Sequence, residues 1–301
     1  MDYILVFLSV ILMSFGFVLQ KVYQKKAGPW GGASFSVYSA VFCIISLLAI
    51  GGFTMDFSWY SLINAALKSL CGFLYTIIGF HIMAKGCVAL YMLFLMSGGM
   101  VLPVLWGWIF LDEPVAIMRV LGVGVIIAAI ILTRDKEEKA GSGLIIPLMA
   151  IFFLNGMVSV FSKLHQIETI HRTVETATYA VYSAGFSFLM SLTVMLFRHR
   201  KHMVEDTVED HPTTKSPVTT TKQVLLLIGI VALYSLLGSI SSLLQLEGAK
   251  NLDASVLYPM ITGGTIVLTG IMALIFFGEK PSKREWISIG LCLAGTFMFL
   301  E

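Results

Sequence analysis

Lys68 stands one turn after Asn64 in the stretch WYSLINAALKSLCGF, roughly eight residues into an apolar segment. Placing an ammonium at membrane depth costs about 2.5 to 3.5 kcal/mol on insertion scales, so this side chain needs water, a partner or a ligand. Two readings follow. Lys68 faces an aqueous cavity and draws an anionic or carboxylate-bearing solute, or it snorkels to the headgroups or pairs with Glu175 on the same side. Asn155 falls near the middle of another apolar segment, where a lipid-facing amide would go unsatisfied, so it faces protein or cavity. As a bundle-stabilising hydrogen bond it would need no ligand. Gln245 follows Ser239, Ser241 and Ser242 on a polar stretch that suits helix contact or solute contact. Tyr91, Tyr234 and Tyr258 offer aromatic walls with a hydroxyl handle. Of the three, Tyr258 is favoured, because Pro259 and the Gly263-Gly264 pair follow it and can open the backbone locally. The expected cavity-lining set is therefore Lys68, Asn155, Tyr91, Gln245 and Tyr258.

Acidic residues point away from a deep proton relay. Every Asp and Glu lies in a loop or near a segment end, with Glu175, Glu247 and Asp253 the ones closest to apolar runs. A relay needs an ionisable group near mid-bilayer. Exchange or facilitated movement is the expected mode, and Glu175 and Glu247 are the edge groups for coupling or gating. Membrane-embedded enzymes need a buried Ser/His pair, an H-E-x-x-H or clustered aspartates, and the sequence has none of these. His199, His202 and His211 sit in a charged run that reads as a solvated segment, so no metal is expected there. The Gly98-Gly99 and Gly263-Gly264 pairs lack a following Lys-Ser/Thr and are read as sites of close packing or hinging. No cofactor is expected.

The elements that must position these residues are membrane helices. Hydrophobic residues make up 57% of the 301-residue chain and charged residues 13%, and mean hydropathy is +0.88. Soluble domains run near 25% charged. A net charge of +2 gives no basis for nucleic-acid binding. Cys43, Cys71, Cys87 and Cys292 lie in or beside apolar runs without metal-ligand spacing and read as small core residues. At about 20 residues per span, ten helices are predicted, over 3–20, 33–53, 60–82, 87–111, 115–133, 144–163, 174–197, 223–246, 253–277 and 284–300. The polar stretch 198–222 is expected to be a flexible loop. Lysines and arginines concentrate in the connections after the odd-numbered helices, which places those in the cytoplasm and both termini outside. The first helix lacks a basic n-region and is expected to be retained.

An internal repeat organises these helices. Residues 84–132 and 249–300 both read Ala-Lys, an apolar run holding Gly-Gly, a loop with an acid and a proline, and a glycine-bearing apolar run. Val18-x-x-Lys21-x-x-Gln24 is echoed by Val160-x-x-Lys163-x-x-Gln166. Two repeats of five helices each, an odd number, must insert upside down relative to one another. The expected fold class is all-α integral membrane, with inverted five-helix halves at 1–133 and 144–301 and a cytoplasmic linker at 134–143. Such duplications mark carriers whose site lies between the halves. Pro103, Pro259, Gly263 and Gly264 are the candidate helix hinges. Small residues at Gly122, Gly124, Ala128, Gly290, Ala294 and Gly295 suit scaffold packing or a homodimer through helices five and ten.

These residues resemble the EamA-like branch of the drug/metabolite transporter superfamily. The resemblance rests on Ala84-Lys85, Pro103, Leu111-Asp112-Glu113-Pro114, Gly278-Glu279-Lys280-Pro281 and the glycines of the last helix of each half. The second half carries Gly263-Gly264 where a counterpart of Pro103 is absent. The resemblance implies a membrane-embedded site walled by helices one, three, four, six, eight and nine, a small organic solute as partner, surrounding lipid, and the cell (inner) membrane as location. Small four-helix multidrug relatives carry the coupled proton on a first-helix carboxylate. Here that helix has only Asp2 at its end, so that mechanism is not expected. The alternative function is a flippase for a lipid or lipid-linked headgroup.

Overall fold

The computed structural model describes residues 2–27, 31–83, 88–114, 116–132, 144–205, 221–277 and 283–298. Those residues form ten helices: α1 Asp2–Ala27, α2 Gly31–Ile50, α3 Trp59–Met83, α4 Val88–Phe110, α5 Ile117–Leu132, α6 Ile145–Ile167, α7 Thr176–Glu205, α8 Thr221–Asn251, α9 Ala254–Phe277 and α10 Lys283–Phe297. No strand occurs among the described residues. Six helices are long and apolar enough to cross a bilayer, and four shorter apolar stretches lie in α2, α4, α5 and α10. The surface bears the same signature, since large apolar side chains such as Ile146 (81% exposed), Ile117 (79%) and Leu225 (72%) point outward. Water would penalise such faces and hydrocarbon does not. The chain is a multi-pass membrane protein.

Helix ends follow local chemistry more than hydropathy. Gly52 adopts φ 66°, and beyond it the Phe53 N–H closes on the Leu48 carbonyl at 2.8 Å, which stops α2 at Ile50, short of the expected 53. α1 and α8 instead run past their first charges to Ala27 and Asn251. The stretch expected as a loop over 198–222 is helical at both ends, since α7 continues to Glu205 and α8 begins at Thr221. The reason is that Lys, Arg and Glu are good helix formers once a helix is nucleated, so polarity alone does not end one. Residues 206–220 lie outside the described residues, as do Ala84-Lys85, Cys87, the linker 134–143 and the 278–282 loop.

Packing is not between chain neighbours alone. α1 lies against α8 and α9, α6 lies against α3 and α4, α2 packs on α7, α5 on α10, and α4 on α9. The α2–α3, α4–α5, α6–α7 and α8–α9 turns meet at one end of the bundle, here called the even-turn end. Ser58 donates to the Arg172 carbonyl there, Tyr182 donates to the Asp56 carbonyl at 2.6 Å, and Glu113 accepts from the Ala254 N–H at 2.7 Å. The largest buried cluster joins α4, α5, α9 and α10 with Val6 of α1.

Candidate solute site

Helical spacing puts Ser61, Asn64 and Lys68 of α3 on one face, and that face meets α6 and α7. Tyr179 of α7 is fully buried there and donates its hydroxyl to Asn64 Oδ1 at 2.8 Å. His165 of α6 stacks on the Tyr179 ring with centroids 3.7 Å apart and an interplanar angle of 15°. The imidazole is held at both nitrogens: Nε2 lies 2.9 Å from Ser61 Oγ and Nδ1 lies 3.1 Å from Gln166 Nε2. The Lys68 ammonium sits 5.1 Å from the Tyr179 centroid, within cation–π range. Lys68 is half-buried, and among the described residues it has neither a hydrogen bond nor an ion pair. In particular it does not pair with Glu175, which is exposed at the start of α7.

Lys163 of α6 has the opposite surroundings. It is 6% exposed, and its Nζ donates to the Ala249 carbonyl at 2.8 Å and to the Leu252 carbonyl, which belong to the final turn of α8 and the residue after it. Helix-end carbonyls lack intrahelical donors and carry the negative end of the helix dipole, so an ammonium is their natural cap. Glu113 caps the adjoining helix start, accepting from the Ala254 and Ser255 N–H groups at 2.7 and 3.1 Å. Gly107 makes that reach workable, because a Cβ there would stand 2.5 Å from Glu113 Oε2. Arg119 completes the patch through Asp253 Oδ2 at 2.7 Å and Ser255 Oγ at 3.2 Å. Four turns or helix ends from both halves of the chain are thus tied together at the even-turn end.

A third polar node lies between α4, α6 and α9. Pro103 has no N–H, which frees the Gly99 carbonyl one turn earlier, and Ser159 of α6 donates to it at 3.2 Å. The Ser159 carbonyl in turn accepts the Tyr258 hydroxyl from α9. Asn155 donates from Nδ2 to the Leu95 carbonyl of α4 at 2.6 Å. Close approach makes these bonds reachable, since a Cβ on Gly98 would lie 2.1 Å from the Phe152 carbonyl oxygen and one on Gly156 would lie 2.7 Å from the Gly98 carbonyl oxygen. The Gly98-Gly99 pair therefore serves close helix packing.

The expected cavity residues are distributed over several contacts. Tyr91 is buried with its ring against Gly79 of α3, in a cluster with Ile82, Leu148 and Ile151. Gln245 donates to Ser241 Oγ at 3.2 Å and approaches Met13 Sδ of α1 at 3.7 Å. Glu247 accepts from Thr176 Oγ1 at 2.6 Å and pairs with Lys250 at 2.8 Å, which ties α8 to the start of α7. Gly263 is buried in α9, and a Cβ on Gly264 would meet Val10 Cγ1 at 3.1 Å. Among the described residues no hydrogen bond or ring contact joins Lys68 to Asn155, Tyr91, Gln245 or Tyr258. Among the described residues, Cys43, Cys71 and Cys292 are not joined in disulfides. Within the α5–α10 pair, Gly122 and Gly295 are taken up inside the chain, while Gly124 and Gly290 have open space beside them.

Sequence reasoning did not single out Lys163, His165, Ser159, Glu113 or Arg119 as site residues. For Ser159 a signal existed, because a proline inside a helix announces an unsatisfied carbonyl four residues earlier and hence a donor near it.

The match to a family model settles where the chain belongs. Residues 142–300 match the EamA-like transporter family. The chain belongs to that family. Spermidine export protein MdtI of Yersinia pseudotuberculosis is 37% identical over 71 residues, covering 24% of this chain and 63% of that protein. Its counterpart from Shigella flexneri is 33% identical over 72 residues, covering 24% and 64%. The chain thus spans a little under two thirds of the length of these curated relatives. A protein of known crystal structure superposes with a TM-score of 0.73 at 15% identity, covering 99% of this chain and 95% of that one, a likeness of fold. In this EamA-like protein, Glu113 and Arg119 tie the α4–α5 region to the start of α9, far along the chain.

Proposed function

We propose that this EamA-like protein carries a small organic solute across the membrane by alternating access between two inverted halves, 1–133 and 144–301. The observation that carries this reading is the pattern of helix contacts. Advancing every helix by five turns the packing of α1 on α8 and α9 into that of α6 on α3 and α4, and maps α2–α7, α5–α10 and α4–α9 onto themselves. A two-fold relation of that kind suits a body that rocks about a central site. All ten helices then cross the membrane. The distribution of Lys and Arg puts both termini and the even-turn end outside the cell (inner) membrane. On this reading the ties of Lys163, Glu113 and Arg119–Asp253 close the outer end, and the solute enters from the cytoplasmic side.

The site is walled by α1, α3, α4, α6, α8 and α9. Lys68 and Asn155 orient the solute, and Tyr91, Gln245 and Tyr258 line its route. Pro103 and Pro259, with Gly263 and Gly264, give α4 and α9 their points of flexure. Glu247, tied to both Thr176 and Lys250, gates the outer side, with Glu175 exposed beside it. A homodimer would use the open edge of Gly124 and Gly290.

The test is counterflow into liposomes holding the purified full-length protein, preloaded in turn with amino acids, organic anions, amines and nucleosides. Accumulation of one labelled class, abolished when the preload is omitted, is the expected result. No movement of any soluble compound, together with protein-dependent flipping of a labelled phospholipid, would replace the carrier reading with the flippase.

A further inference from the structure

Resting on that carrier reading, we propose that the solute is an organic anion whose carboxylate is bound by the Lys68 ammonium while its apolar or aromatic part lies against Tyr179.

Two lysines reach into the protein, and they are satisfied differently. Lys163 is closed off by the Ala249 and Leu252 carbonyls and needs nothing further. Lys68 lies about 13 Å along α3 from Trp59, at roughly 1.5 Å per residue, and has no acceptor among the described residues. What it meets among the described residues is a π face, the Tyr179 ring at 5.1 Å. The neighbouring acceptors are already used. Asn64 Oδ1 takes the Tyr179 hydroxyl, and Ser61 Oγ takes the Val174 N–H and the His165 contact. A ring face compensates a partly desolvated ammonium less well than an anion does. The ammonium on the Tyr179 face is therefore suited to a carboxylate, and the flat ring beside it offers a surface for an aromatic or branched remainder.

The charge balance also separates this chain from a polyamine carrier. No acid stands deep in any described span, and the acids that approach the spans are engaged at their ends: Glu113 with the α9 start, Asp253 with Arg119, and Glu247 with Lys250. A polycation entering the α3–α7 region would meet Lys68 with no counter-charge, and like charges at contact distance in a partly dry site repel strongly. The export of spermidine named for the matched relatives is thus not the expectation for this chain.

The experiment uses the intact protein in liposomes, with benzoate, phenylpyruvate, L-glutamate and spermidine each as preload and as competitor. At least one carboxylate is expected to exchange, with spermidine failing to compete at about tenfold excess. Lys68→Met is expected to lower exchange at sub-saturating substrate by about tenfold or more, whereas Lys68→Arg, which keeps the charge, stays within about threefold of wild type. Lys68→Gln, run in parallel and checked by size-exclusion elution, guards against a variant that simply misfolds. Carriage of spermidine by wild type, with Lys68→Met equal or faster, overturns this inference and leaves the carrier reading standing. Carboxylate exchange that survives both Lys68→Met and Lys68→Gln also overturns it. If nothing soluble moves and lipid flips, the carrier reading falls and this inference falls with it.

Discussion

Lys68 and Lys163 have the same charge and enter the bundle from the same end, yet their surroundings differ. Lys163 caps the end of α8 and is shielded from solvent; Lys68 rests on an aromatic face and, among the described residues, has no acceptor. The difference teaches that a charged group in a membrane bundle has to be judged by its acceptors and not by its position in the sequence. A lysine with two carbonyls belongs to the scaffold, and one resting on a ring face is the one to test for a ligand.

That contrast predicts stability effects of opposite sign. Lys163→Met should lower the unfolding free energy in detergent by about 2 kcal/mol, because two helix-end carbonyls lose their donor, read as a lower melting midpoint. Lys68→Met should not lower it, and a gain of up to about 2.5 kcal/mol is in range, since a poorly solvated ammonium is removed. A loss for Lys68→Met as large as for Lys163→Met would erase the distinction. Glu113→Gln keeps the shape and removes the charge at the start of α9, so a loss of about 1 kcal/mol is expected, and it should shrink at high salt if the carboxylate is as accessible as its half-buried state indicates.

The smallest effect concerns acid. In the α6–α7 turn the His171 and Ile170 N–H groups hold the Glu168 carboxyl down at about 2, against 4.5 for the free group. A depressed carboxyl stabilises above the unfolded value and loses that contribution as pH falls from about 4.5 towards 2. Melting curves of Glu168→Gln should therefore differ from wild type at neutral pH and converge with it at the acid end.

How much of this could be read from the residues depends on the scale of the feature. Ten helices were legible, because runs of apolar residues of bilayer length leave little else to form. Their ends were less so: hydropathy falls at the first charge, while the hydrogen-bonded ladder continues, as in α1 to Ala27 and α8 to Asn251. Asn155 was legible as a protein-facing amide, but its partner Leu95 depends on the register between α4 and α6, which Gly98 and Gly156 fix by contact. Lys163 was visible only as one letter of a repeat. Its burial follows from α8 ending beside it, a fact of tertiary placement that no local pattern encodes. Lys68 stood out for the reason that still applies, an unexplained charge within an apolar run.

Pro103 carries a consequence for how the protein is made. When α4 first enters the membrane, its Gly99 carbonyl has no backbone donor, and the Ser159 hydroxyl that will satisfy it lies on a helix not yet synthesised. The nascent first half is therefore an unfinished object that remains dependent on the arrival of α6. Until α6 packs beside it, α4 carries one unmet carbonyl at membrane depth, so the order of synthesis becomes an order of satisfaction.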